Sequence, residues 1–141
     1  MNLATFERAQ VAAFAYRRAR YTGSLFCLRA VCYILRNRIK AGWGEMGWLS
    51  VMESHPAVEG NERPDGVPML DPQDRLLQLL IRDIDDIYLG TSEDETKLVV
   101  ADALYFQMID QPPRDWFVKN IVRQPQDHPR TGQIGPMALF R

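Results

Sequence analysis

Gly42, Gly44 and Gly47 stand in the G-x-G-x-x-G spacing that cradles a pyrophosphate. That chemistry needs the glycines to follow a strand and open a helix, so that bare backbone N–H groups meet the phosphate oxygens. Here they follow a helical pattern, and Trp43 and Glu45 between them would crowd and repel the anion. A dinucleotide site is therefore excluded. His55 and His128 each precede a proline and so favour extended loop geometry. Two isolated histidines do not make a zinc site, and neither a metal nor another cofactor is expected. Asp83, Asp85 and Asp86 share the stretch RDIDDIY, but helical spacing fans them over different faces as a solvated acidic surface. The run SEDE, residues 92–95, suits a helix start, where acids favour the dipole, and lacks calcium-loop spacing. No G-x-S-x-G elbow, Walker loop or H-E-x-x-H occurs. Cys27 and Cys32 are the only cysteines; on one helix they point about 140° apart and cannot bridge, so they read as small core residues in a reducing compartment.

The elements that carry these residues are mostly helical. LATFERAQVAAFAYRRARYT is an amphipathic helix with Phe6, Ala13 and Phe14 facing inward, broken at Gly23. Ser24 caps a second helix that runs to about Ala41, with a stripe of Leu28, Val31, Cys32, Leu35 and Ile39. Phe26, Tyr33 and Ile34 make it apolar on most sides, the pattern of a central helix, and Gly42 stops it. A glycine-rich turn leads into a short helix through Trp48, and residues 55–70 form a long loop. The clearest helix lies in DPQDRLLQLLIRDIDDIYLG, with Asp71 as cap, Pro72 in the first position and Gly90 closing it. KLVVADALYFQM is short and extended at its end. PPRDWFVKNIV suits a short helix through Trp116, Phe117 and Ile121, RQPQDHPRTGQ a loop, and IGPMALFR an extended tail. The expectation is one mainly α domain with minor strand.

At 141 residues and 46% apolar, the chain is long enough for one compact core. Its longest apolar runs, such as VAAFAY, fall far short of the roughly 20 residues of a membrane span. Glu7 and Arg8 occupy the place where a secretion signal needs its apolar region, so the expected location is the cytoplasm, or outside it by a dedicated export machinery or a phage-encoded route. Net charge is −1, but it is unevenly spread. Residues 1–42 carry eight Arg or Lys and one acid, residues 43–110 four and fifteen, and residues 111–141 five and two. The basic segment alone has the footprint of a nucleic-acid binder. The acidic middle, however, can neutralise it within one fold, which makes a nucleic-acid partner the weaker expectation.

Two separated blocks resemble one family. AVCYILRNRIKAGW, residues 30–43, is similar to the A-V-x-x-V-I-L-N-R-V segment of bacterial cell wall hydrolases of the spore-cortex-lytic (SleB-like) type. ADALYFQ, then WF, then IGPMALF resemble that family's closing pattern, and DDIYLGTSEDE fits the acidic connection between the blocks. The resemblance covers about residues 19–141. It implies a lysozyme-like single domain over 1–141, with residues 1–22 as an N-terminal helix and 23–141 as the region of likeness, and a peptidoglycan glycan strand as ligand. On this likeness Asn37 and Arg38 end the central helix beside a cleft. Arg38 would pair with an acid of the middle segment or meet sugar, and Asn37 would satisfy loose backbone groups at the helix end.

The chain departs from the family where chemistry is needed. Aligned on Asn37-Arg38, the family's two glutamates fall on Ala19 and Gly23, and its closing histidine on Met137. Glycosidic cleavage needs a carboxylic acid to protonate the leaving oxygen, and none of these side chains can do so. The likeness thus implies a degenerate hydrolase that binds a glycan strand or a protein partner. Its ligand groove would be edged by Trp43, Trp48 and Tyr105, with Gln107 bonding sugar hydroxyls. The alternative is an active glycosidase using a relocated acid. Glu45 or Glu53, beside Trp43 and Trp48, would serve, although the same four residues also suit tryptophans packed on the core and glutamates in water.

Overall fold

A computed structural model describes residues 5–43, 48, 51, 60–61, 70–92 and 94–141. Helix α1 (Thr5–Ala19) runs into a 3₁₀ turn, Arg20–Thr22, and stops at Gly23, whose φ of +67° is the left-handed conformation that glycine adopts without strain. Helix α2 (Leu25–Lys40) opens on Ser24, whose side chain accepts the Cys27 N–H. Helix α3 (Arg75–Leu89) ends at Gly90, and the short α4 (Glu95–Val100) is capped by Asp94. The strands are β1 (Tyr105–Met108), β2 (Arg130–Ile134) and β3 (Met137–Phe140). Between β1 and β2 a short helix α5 (Asp115–Phe117) continues as a π-turn, Val118–Val122. The described residues are thus mainly helical with one small sheet.

Helix α2 is the centre. It packs against α1, α3, α4 and β1. Cys27, Leu28, Ala30, Val31, Cys32, Ile34 and Leu35 are all wholly buried, as all-round apolarity requires. Both thiols are free, and burial pushes that of Cys32 up to about 12. The inward face of α1 is rotated from the expected one. Val11, Ala12, Ala15, Tyr16 and Ala19 fill the core, while Phe14 sits at its margin beneath the Arg18 guanidinium, 4.6 Å from the ring centre. Small side chains at successive turns let α1 approach α2 closely, and a phenylalanine there would hold the helices apart. Ala13 is buried as expected; the Phe6 side chain lies outside the described residues.

The α3 cap also differs. Asp74, not Asp71, accepts the Leu76 N–H, and Asp71-Pro72-Gln73 make a turn before it. The physical reason is tertiary: Arg20 and Tyr16 of the first helical segment hold the Asp74 carboxylate in capping position.

The sheet has the order β1-β3-β2, both pairs antiparallel. The RTGQ expected as loop is therefore mostly strand, and the closing extended segment is the middle strand. Met137 and Leu139 point into the main core, whereas Ala138 and Phe140 join Phe117 and Ile121 in a second cluster on the opposite face. The alternation of a strand buried on both sides accounts for four consecutive buried residues. Asn61 extends the sheet: its side chain accepts the Met108 N–H at 2.7 Å and donates to the Met108 carbonyl at 2.8 Å. At Gly60 any Cβ would meet the Phe106 carbonyl oxygen, so only glycine allows this approach.

Candidate functional site

The end of α2 and the start of β1 meet at Asn37 and Arg38. Asn37 donates its amide to the carbonyls of Ala101 and Ala103, each at 2.9 Å. It therefore serves the segment entering β1 rather than its own helix end, as had been expected. Arg38 is 3% exposed; its Nε donates to the Leu104 carbonyl at 2.8 Å, and its guanidinium lies 5.2 Å from the centre of the Trp43 ring. Two adjacent side chains thus hold three carbonyls of the stretch Ala101–Leu104. That stretch contains the one positive-φ residue among the described non-glycines, Ala101 at φ +48°.

The result is a short aromatic run. Trp43, partly buried, meets Tyr105 edge-on at 5.4 Å between ring centres, and Tyr105 meets His128 edge-on at 5.1 Å. His128 Nδ1 lies 3.0 Å from the Arg141 carbonyl oxygen. Burial raises the Tyr105 phenol above its ordinary value, against the lowering effect of the Arg38 charge, so the hydroxyl stays neutral and can donate or accept. Gln107 follows Tyr105 by two residues on the same strand face and is partly buried, while Phe106 and Met108 face the core. The structure therefore brings together Trp43, Tyr105 and Gln107 with Asn37 and Arg38 behind them. His128 belongs to the group as well. Its position in the sequence gave no sign of this, because a strand pairing brings its loop back across the chain.

Trp48 does not join this face. It is 1% exposed and packs on Tyr88 at 5.4 Å, so its indole is core and cannot edge a groove. Glu45 and Glu53 lie outside the described residues, as does His55. Of the two positions where the resemblance would call for acids, Ala19 is wholly buried in the main core, and Gly23 is exposed, with nothing within 4 Å of a Cβ placed on it. Met137, where the resemblance would call for a histidine, is also wholly buried.

The acids of α3 are not a free acidic surface. Asp83 accepts Nε and Nη2 of Arg29 at 2.9 and 2.7 Å, and Asp85 pairs with Arg8 at 2.5 Å. Asp86 accepts the Thr91 hydroxyl. With Arg20–Asp74, these pairs join the basic first helices to the acidic middle of the chain. Among the described residues, no group of three or more His, Cys, Asp or Glu is placed to hold a metal ion, and no helix is long and apolar enough to cross a membrane. No protein-family model, curated protein or solved structure matches the chain.

Proposed function

We propose that this chain is a degenerate, lysozyme-like domain of the SleB-like cell wall hydrolase type that binds a peptidoglycan glycan strand without cutting it. The observation that carries the reading is the burial of Ala19 and Met137. At two positions where the likeness calls for an acid and a histidine, this chain has apolar side chains committed to its core. A carboxylic acid that protonates a leaving oxygen has to reach the substrate, and neither position offers that access or that chemistry. Binding survives such a loss, because aromatic faces stack on sugar rings without any acid. The partly buried Trp43 and Tyr105, with Gln107 beside them, supply faces and hydrogen-bonding groups of that kind.

Co-sedimentation with purified peptidoglycan, combined with chromatography for released muropeptides, tests the reading. Retention of wild type without release of fragments, and reduced retention of a folded Trp43→Ala variant, is the expected result. Robust release abolished by Glu45→Gln or Glu53→Gln would replace it with the active glycosidase. Absence of retention would remove the glycan and leave a protein partner as the better reading.

A further inference from the structure

We propose that Arg38 is a positioning residue for the Trp43–Tyr105 face, one guanidinium setting both rings at once. The proposal rests on the glycan-binding reading above and goes beyond it by naming what shapes the face.

Arg38 acts on the two rings by different routes. Through Nε it fixes the Leu104 carbonyl, the peptide immediately before Tyr105. The Leu104 N–H is held in turn by the Phe140 carbonyl at 3.0 Å, so both sides of this residue are pinned as the chain enters β1. Through its cationic centre Arg38 meets the Trp43 ring within cation–π range. The Trp43 backbone N–H donates to the Arg38 backbone carbonyl at 3.0 Å, which fixes the main chain from which the indole reaches the guanidinium. The edge-on contact of Trp43 and Tyr105 is the product of these restraints.

Guanidinium chemistry suits the task. Its planar fork fixes donor directions while its delocalised charge meets an aromatic ring; a lysine ammonium is a compact point charge that cannot keep both geometries.

The test compares wild type with Arg38→Lys, Trp43→Ala, the Arg38→Lys/Trp43→Ala double variant and Arg29→Ala. Arg29 pairs with Asp83 away from the face and controls for lost stability alone. Peptidoglycan co-sedimentation and near-ultraviolet circular dichroism, which reports fixed Trp and Tyr environments, are measured for each. Arg38→Lys is expected to weaken retention about fivefold to tenfold and to reduce the aromatic signal. The double variant should lose less than the sum of the two single losses, because the Trp43 share of what Arg38 does is already gone and only its hold on Tyr105 remains. Arg29→Ala should lower the unfolding midpoint while keeping both readouts. Wild-type retention and aromatic signal in Arg38→Lys, or losses that simply add in the double variant, would overturn the proposal. If wild type is not retained at all, the glycan reading fails; the aromatic signal of Arg38→Lys against Arg29→Ala still decides the positioning claim. If Arg38→Lys does not fold, Arg38→Gln takes its place, keeping a donor for Leu104 but no cation.

Discussion

Arg20 Nε lies 2.6 Å from Asp74 Oδ2, joining the end of the first helical segment to the cap of α3 across 54 residues. The contact does two jobs, because the same carboxylate accepts the Leu76 N–H that opens α3. Tyr16 bonds to it from the core side. Asp94 repeats the device at α4: it caps Lys97 and receives the hydroxyl of the buried Tyr33 at 2.9 Å. In both places a helix start is held from beneath by a tyrosine of an earlier helix.

These caps make stability depend on pH. Arg20 holds Asp74 below the usual carboxylate value of 3.8, burial opposing. For Asp94, burial alone would raise the value, but the Ser92 and Tyr33 hydroxyls and the Lys97 N–H bring it below 3.8. A carboxylate whose pKa is depressed by folding adds stability above its unfolded value and loses that stability as pH falls through its folded value. The thermal midpoint should therefore drop as pH is lowered below about 4. Asp74→Asn should have a lower midpoint at pH 7 and a shallower loss below pH 4. An identical slope in wild type and variant would remove Asp74 as a source.

Leu35 is wholly buried at the centre of α2. Leu35→Ala should cost about 2–5 kcal/mol, from lost transfer energy and the cavity left behind. Urea unfolding followed by far-ultraviolet circular dichroism measures it; an unchanged midpoint would show that α2 is not the core helix.

Ala101 has φ +48° and ψ −118°, a conformation that costs an L-residue about 1–3 kcal/mol. Ala101→Gly relieves that strain and loses only about 0.5–1 kcal/mol to the freer unfolded chain, so it should raise stability by about 1 kcal/mol. Asn37→Ala, which frees the two carbonyls that hold this segment, should lower stability by about 1–3 kcal/mol. Opposite shifts of the unfolding midpoint are the readout.

Ala19 and Gly23 should answer differently to the same new side chain. Ala19→Glu places a carboxylate in the apolar core without a partner and should cost about 3–5 kcal/mol. Gly23→Glu meets nothing within 4 Å and should cost only the left-handed backbone term, about 1–2 kcal/mol. Equal losses would contradict the placement of one position inside and the other outside.

The sequence by itself determined the helices and the central one. The apolar stripe of α2, the Ser24 cap and the Gly23 and Gly90 stops are local signals, each set by propensity or by a backbone angle that only glycine takes easily. It also predicted that the basic start and acidic middle would neutralise one another, because opposite charges in one compact chain find each other without further instruction. What it left open was decided by contacts between distant segments. Asp71 and Asp74 are equally good caps locally, and Arg20 chose between them. RTGQ reads as loop because its strand character comes from pairing with β3, not from its own residues. Trp43 and Trp48, five residues apart, look alike as surface platforms, yet one packs on Tyr88 in the core and the other stands beside Tyr105. Asn37-Arg38 looked like a helix end and is instead the clamp on the entry to β1, because a side chain's partner is fixed by which carbonyls the fold brings within 3 Å and not by its neighbours in the chain.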